Sequence, residues 1–320
     1  MKPLRLILAG AGAFGREHLT RLLAREDVAV AGVADPDDRT RTNIAKLHPG
    51  LRVASDPLVL IDQAKPDGVI VASSASSHFG IAAHSVARGI PVLLEKPVTR
   101  SVDHGLQLAA LAEKNGTFIL PGHVLRFSKD HQALAEIVKS GVIGNVVYLN
   151  SRRYRDDDHA IRFVHDDPVL TTLVHDIDLA VWLAGAPFTF VRGNRSAGRG
   201  FRSLTTADLD ADSGVRCHIR ISWAFPSGDL PPDRLEVVGD LGSIELDVGI
   251  GMTLFANGQS RDMPLVIGDD HLMNEHNYFF SLIRSKSRPA VVTISDAVHG
   301  LRIADKILQS LKERREIRYV

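Results

Sequence analysis

Residues 4–15, LRLILAGAGAFG, carry the reading that decides the fold. A short apolar run runs into Gly10-x-Gly12-x-x-Gly15, with Ala13 and Phe14 inside the spacing, and a helical pattern follows to about Arg25. The early glycines allow a tight turn and close backbone approach to a pyrophosphate, and Gly15 allows a helix to pack against a strand. A second apolar run, VAVAGVA (28–34), ends on Asp35, 20 residues beyond Gly15. A carboxylate there accepts hydrogen bonds from a ribose 2′-OH and repels a 2′-phosphate, which favours NAD over NADP. Arg39 and Arg41 lie just beyond, and they are the residues that would accommodate a phosphate and keep NADP open. The opening MKPLRLILAGAGAF has the basic tip and Ala-x-Ala of a signal peptide, but glycines interrupt its apolar run, and strand-turn-helix explains it better.

Outward from this unit the same grammar repeats. DGVIVAS (67–73) reads as a strand, SHFGIAAHSVARG (77–89) as a helix stopped by Gly89, and PVLLE (91–95) as a buried strand. SVDHGLQLAALAEKNG (101–116) is a helix between a Ser cap and a glycine stop, and TFILPG (117–122) is a further strand. Runs apolar on both faces suit a parallel sheet covered by helices. The fold class is therefore α/β: a Rossmann-type, doubly wound parallel sheet over residues 1–121, then a domain over 122–320. In the second part, helices near 129–139 and 169–184 flank a strand at NVVYLNS (145–151) and a polar stretch, RRYRDDDHAIRFVHDDP (152–168), that reads as a loop. VRCHIRISWA (215–224) alternates Val215, Cys217, Ile219, Ile221 and Trp223 with polar residues, the mark of a sheet with one wet face. LEVVGDLGSIELDV (235–248) is a hairpin pivoting on Gly239 to Gly242, and helices near 271–286 and 294–314 close the chain. This half reads as α+β with a largely antiparallel open sheet, and the last helix has room to pack back on the first domain. The face unclaimed by helices makes a homodimer or homotetramer the expected assembly.

Composition excludes whole classes. The 320 residues are 44% hydrophobic and 24% charged, enough for two cores and an ordinary polar surface. Lys plus Arg (38) equals Asp plus Glu (38), so no basic field draws nucleic acid or an anionic membrane. Cys217 is the single cysteine, which rules out an internal disulfide and a Cys-based zinc site and suits a reducing cytoplasm. No apolar run reaches the roughly 18 residues of a membrane span. The expected partner is a small molecule.

Two places carry candidate chemistry. Glu95-Lys96-Pro97 sets a lysine at the carboxyl edge of the sheet, where open α/β folds bind ligands. Burial lowers a lysine pKa, and such a lysine passes a proton to or from a hydroxyl while hydride moves; a surface lysine after a buried strand is the alternative. Farther on, Thr171, His175, Asp178 and Trp182 are spaced to share one helix face beside an apolar stripe of Leu170, Val174, Ile177 and Val181. His175 is the acid/base candidate there, with a carboxylate neighbour to stabilise its charged form, and an exposed His–Asp pair is the plainer reading. The intervening loop gathers Asp156, Asp157, Asp158, His159, His165, Asp166 and Asp167, yet its spacing matches no metal motif, so no metal is expected. Tyr154, Arg155, His159 or Arg162 on that loop, and Arg126 after the sixth strand, are candidates to touch a polar substrate.

Taken in order, GAGAFG (10–15), VADPD (33–37), VIVASSASSHFGIA (69–82), EKPV (95–98), GHVLRF (122–127) and HDIDLAVWLAG (175–185) make the chain resemble the Gfo/Idh/MocA oxidoreductases over nearly its whole length. The resemblance implies a Rossmann domain followed by an α/β domain whose open sheet makes the oligomer interface. It implies that Lys96 contacts the reacting hydroxyl and the nicotinamide ribose, that Glu95 lines the cofactor site, and that Ser73, Ser74 and His78 lie along the cofactor. His78 reads equally as a surface histidine at a helix start. The family usually has Asp-x-x-x-His where this chain has Thr171 and His175, and a threonine cannot act as a carboxylate base. Either Lys96 and His175 suffice, or Asp176 or Asp178 substitutes, or the activity is altered. The implied function is an NAD-dependent dehydrogenase of a sugar, polyol or related hydroxyl compound. Imine or enone reduction, NAD-assisted glycoside cleavage, and a cofactor-binding regulator with a decayed site are the alternatives.

Overall fold

The computed structural model describes residues 2–163, 166–200 and 202–319. Along the first 122 residues run β1 (Leu4–Ala9), α1 (Ala13–Leu23), β2 (Val28–Ala34), α2 (Asp38–Leu47), β3 (Val53–Ala54) and α3 (Pro57–Ala64). They continue as β4 (Gly68–Val71), α4 (Ala75–Val86), β5 (Val92–Glu95), α5 (Val102–Lys114) and β6 (Ile119–Gly122). Next come a 3-10 turn (Val124–Phe127), α6 (Lys129–Lys139), β7 (Val146–Asp156), α7 (Asp157–Arg162), a π-helical turn (Val169–Leu173) and α8 (Val174–Ala184). The strands β8 (Phe188–Ala197), β9 (Ser203–Ala211), β10 (Arg216–Phe225), β11 (Arg234–Gly239), β12 (Gly242–Asp247), β13 (Gly251–Ala256) and β14 (Gln259–Met263) follow. The chain ends with α9 (His271–Ser285), α10 (Ile294–Glu313) and β15 (Ile317–Arg318). Two compact units result: Met1–Val124 with Asp270–Val298, and Leu125–Asp269 with His299–Val320.

The first unit is the α/β layer anticipated from the pattern. Its six strands are all parallel in the order β3-β2-β1-β4-β5-β6. β4 and β5 are buried at every position, as continuous apolar runs in a sheet covered on both faces must be. Asp37 caps α2 by accepting from Thr40 N–H, and Asp56 caps α3, which opens on Pro57. The remote helix α9 belongs to this unit: a Cβ at Gly68 of β4 would lie 2.8 Å from Ile283 Cδ1 and 3.2 Å from Phe279 Cζ. Phe279 and Phe280 are fully buried, each contributing about 1.5–3 kcal/mol of apolar transfer free energy. Arg21 of α1 grips Asp270, the cap of α9, and Arg25 reaches Asn277 at 2.6 Å.

The second unit carries a nine-stranded sheet, β14-β13-β12-β11-β7-β10-β9-β8-β15, in which, among the described residues, only β7 and β10 pair in parallel. Cys217, Ile219, Ile221 and Trp223 face its core with Leu173 and Ile177 and with Ile303 and Ile307 of α10, while the alternating residues form the polar face. The expected loop at 152–168 is corrected. β7 continues through Asp156, and α7 follows with Asp156 as its cap, accepting from His159 N–H at 3.0 Å. The polar sequence hid a strand because two of its inward positions, Ser151 and Arg153, meet a buried carboxylate instead of an apolar neighbour. Asp176 takes the Ser151 hydroxyl and Arg153 Nε at 2.7 Å, while Arg153 Nη1 reaches Asp233 at 3.0 Å. Burial opposes the Arg153 charge, but Asp176 and Asp233 outweigh it and hold its pKa above the ordinary value. Removing Asp176 leaves only Asp233 to balance the buried Arg153 charge and takes the carboxylate acceptor from Arg153 Nε and the Ser151 hydroxyl. Asp176→Asn should therefore lose about 3 kcal/mol or more of unfolding free energy in urea titration; a loss under about 1 kcal/mol would show the pair to be unimportant to the core.

Candidate active site

The sheet order reverses between β1 and β4, which makes a crevice at the carboxyl ends of those strands. Gly10, at φ +95, turns the chain there; a Cβ on it would lie 2.4 Å from Ser73 N, so the loops after β1 and β4 abut at that point. A Cβ on Gly12 would meet nothing within 4 Å. The first turn of α1 carries no acidic side chain and Gly12 offers no side-chain cap, so its N–H groups suit a pyrophosphate. Asp35, at the end of β2, accepts Ala11 N–H at 2.7 Å on one oxygen and Asp37 N–H at 2.9 Å on the other. It thus braces the glycine turn, and each oxygen keeps a lone pair for a ribose hydroxyl. Arg41 is drawn back onto the Asp35 and Pro36 carbonyls and Asp38. Phe14 is exposed at the helix start with its ring edge-on to His18.

In the loop after β4, the Ser73 and Ser77 hydroxyls lie 2.7 Å apart and those of Ser74 and Ser76 3.0 Å apart. His78 is not a surface residue. Its ring is buried, with Nε2 3.0 Å from the Ser73 carbonyl and Nδ1 2.9 Å from the Pro97 carbonyl. Burial pushes it below its ordinary pKa against the pull of those carbonyls, and the neutral ring donates to one of them at a time. It therefore ties the loop after β4 to the Lys96–Pro97 turn, whose peptide bond is cis. Glu95 is buried at the end of β5. One oxygen lies 3.1 Å from His18 Nε2 and the other accepts Lys96 N–H at 3.2 Å. A Cβ at Gly122 of β6 would come 2.9 Å from that carboxylate, so a side chain there would displace it. Lys96 itself is half-buried.

In the second unit the expected residues separate. Arg126 and Asp178 are joined in a buried bidentate pair, with Nη2 to Oδ1 at 2.8 Å and Nε to Oδ2 at 2.9 Å, and the guanidinium lies 5.5 Å from the Trp182 ring centre. The two were expected to act separately, one on substrate and one as an acid/base. Instead each is committed to the other. Asp176 is likewise no substitute base, since it faces Arg153 and Ser151. The π-helical turn at Val169–Leu173 shifts the phase of the helix, so Thr171 and His175 do not repeat as an α-helical spacing of four requires. The Thr171 hydroxyl donates to the Asp167 carbonyl at 3.1 Å, and His175 is half-buried. Tyr154 projects from the face of β7 opposite to Arg153, where its hydroxyl meets Arg220 Nη2 at 2.9 Å; β7 turns it away from α8. In the acidic stretch Asp157 pairs with Arg202 and Asp167 with Arg195, and His165 lies outside the described residues. Among the described residues no group of three or more acidic, histidine or cysteine side chains is arranged to hold a metal.

Sequence reasoning missed His18, Glu275 and His276. His18 follows Gly15 by one helical turn, but nothing local singles out Glu275 or His276, which α9 brings into the first unit's interior. Glu275 is fully buried with neither carboxyl oxygen hydrogen-bonded, and burial together with the nearby Glu95 charge pushes its pKa well above the ordinary range. Below its unfolded-state value the carboxyl is protonated in both states and carries no ionisation penalty. As pH rises beyond it the unfolded chain ionises first, and stability falls by up to about 1.4 kcal/mol per pH unit until the folded-state value is reached. Glu275→Gln stays neutral, so urea midpoints at pH 5 and pH 8 should show its stability relative to the parent improving with pH. An equal difference at both pH values would mean that Glu275 is ionised in the folded protein.

Comparison with known proteins matches residues 4–123 to a model described as an oxidoreductase family with an NAD-binding Rossmann fold, and residues 131–245 to the GFO/IDH/MocA C-terminal domain. The chain is 31% identical over 245 residues to inositol 2-dehydrogenase 2 of Saccharopolyspora erythraea, covering 74% of this chain and 71% of that one. Its fold matches myo-inositol 2-dehydrogenase from Lactobacillus plantarum with a TM-score of 0.86 at 20% identity over all of both chains. It also matches scyllo-inositol dehydrogenase from Lactobacillus casei, solved with NAD(H) and scyllo-inositol, with a TM-score of 0.85 at 15% identity over 99% of each chain.

Proposed function

Because the chain belongs to the Gfo/Idh/MocA family of oxidoreductases, we propose that it oxidises a secondary hydroxyl of a cyclic polyol or sugar, with NAD as hydride acceptor. The observation that carries this reading is the Lys96 turn at the carboxyl end of β5, next to β4 and the loop that abuts the glycine turn. When bound, the nicotinamide supplies the hydride chemistry. Gly10, Gly12, Ala13, Phe14 and Gly15 form the turn that receives the pyrophosphate, and Asp35 accepts the adenosine ribose hydroxyls. Ser73, Ser74 and Glu95 border the same crevice, and His78 holds two of its loops together. Lys96 Nζ takes the one proton that the hydroxyl releases as hydride leaves its carbon, and His175 is the alternative acceptor. Thr171 itself cannot act as a carboxylate base beside His175. The name of the Saccharopolyspora relative supports an inositol-like substrate.

The substitution at Thr171 also supports a second reading, a cofactor-binding regulator that turns nothing over. Lys96→Met separates the two. Turnover of NAD with a panel of inositols, aldoses and sugar acids, followed at the reduced-nicotinamide absorbance band, should fall at least about 100-fold while NAD binding stays within a few-fold. A parent protein that binds NAD and reduces none of it across the panel would favour the regulator. The cofactor preference has its own test. Asp35→Ala removes the charge that repels a 2′-phosphate, so the ratio of NADP to NAD dissociation constants should drop by about tenfold. A constant ratio, even with both affinities weakened by the loosened turn, would remove Asp35 from cofactor discrimination.

A further inference from the structure

Behind the Lys96 turn the first unit holds a chain of buried polar groups that the proposed reaction does not use. His276 Nε2, on α9, lies 2.8 Å from His18 Nδ1, on α1. His18 Nε2 lies 3.1 Å from Glu95 Oε1, at the end of β5, and Glu95 Oε2 accepts the Lys96 backbone N–H at 3.2 Å. Both histidine rings are fully buried, boxed by Phe14 edge-on to His18 and Phe280 stacked on His276. The charged groups facing this chain are Arg21 and Arg25 toward His276, and the titratable Glu275 faces Glu95.

Burial sets the charge at both flanks of this chain. Burial, with His18 and the two arginines nearby, holds His276 well below its ordinary range, so the ring is neutral. Its Nδ1 has no hydrogen-bond partner, and a bare nitrogen there leaves no orphaned N–H. His276 Nε2, His18 and Glu95 Oε1 thus form one line of hydrogen-bonded contacts that ends on the Glu95 carboxylate. Glu275, protonated by its burial, adds no second negative charge beside Glu95.

We infer that His18 and His276 are positioning residues for the Lys96 turn: they fix the Glu95 carboxylate, whose second oxygen holds the Lys96 backbone. This rests on the reading of Lys96 as the proton-transfer residue. A carboxylate with one oxygen anchored cannot swing away from the N–H on its other oxygen, and small displacements of a reacting group are costly in rate. The arrangement also explains why three elements distant in sequence converge on the end of β5.

The test uses the full-length protein and two variants. His18→Phe fills the space without donating to Glu95, and His18→Gln keeps an amide N–H in its place. The primary readout is hydrogen exchange of the Lys96 amide, which needs no substrate. In His18→Phe its protection should fall about five- to tenfold while Leu93 and Leu94 of β5 keep theirs; in His18→Gln it should return to within about twofold of the parent. With a turned-over substrate, kcat should follow the same order, lower by about tenfold in His18→Phe and largely rescued in His18→Gln, with NAD dissociation constants little changed. If His18→Phe does not fold, His276→Leu removes the far end of the chain and should cut Lys96 protection at least twofold. Unchanged Lys96 protection in the folded His18→Phe or, failing that, His276→Leu protein, or an equal loss in His18→Gln, overturns the inference. Failure of the Lys96→Met test alone removes Lys96 from the chemistry and leaves the exchange result to decide the positioning on its own.

Discussion

The carbonyl oxygen of Gly10 occupies the space that a Cβ on residue 15 would need, 2.2 Å away. That contact allows α1 to leave β1 as tightly as it does, and the tightness brings the loop after β4 against the same turn. The Asp35 brace on Ala11, the open N-terminus of α1 and the His78 tie from Ser73 to Pro97 all depend on that closeness. A single added methyl at residue 15 would have to be absorbed by backbone, since its neighbour is a main-chain oxygen and not a flexible side chain.

The two units hold polar groups inside by different means. In the second, paired full charges are buried: Arg126 with Asp178, and Arg153 with Asp176 and Asp233. Such pairs tolerate no half-measures, because desolvation leaves each charge dependent on its partner. In the first, the buried groups near β5 are two histidine rings and a neutral acid around one carboxylate. The first arrangement locks geometry within a core. The second keeps a single charge where a cation and a cofactor are expected.

Much of this was legible in the sequence, for identifiable reasons. The parallel sheet announced itself because strands buried on both faces need unbroken apolar runs, and because Gly10, Gly15 and Asp35 stand at intervals fixed by one βαβ unit. The antiparallel sheet showed in the alternation around Cys217 and Ile221. The end of β7 escaped because its inward positions are Ser151 and Arg153, whose partner Asp176 lies more than 20 residues on; local patterning cannot register a strand whose burial is electrostatic. Asp178 and Arg126 were visible as polar residues, but their mutual pairing was not, so they read as available chemistry. The π-helical turn broke the face arithmetic that aligned Thr171 with His175. His18 and His276 are 258 residues apart, and no periodicity connects them.

The parallel pairing of β7 with β10 bears on how the chain is made. β7 lies between β10 and β11, both of which are synthesised later, at 216–225 and 234–239. A ribosome delivering residues from the amino terminus releases β7 with both of its edges open and holds it so for some 60 residues of translation. The all-parallel sheet, by contrast, has its six strands in hand once β6 emerges. Order of manufacture thus leaves each sheet waiting for a later piece, the parallel one for α9, whose Phe279 and Ile283 lie over β4, and the mixed one for its centre to be flanked. The arginines that give β7 its polar sequence then have a second effect: before their carboxylate partners arrive, Arg152, Arg153 and Arg155 keep an unpaired central strand charged, and a charged edge does not recruit another copy of itself.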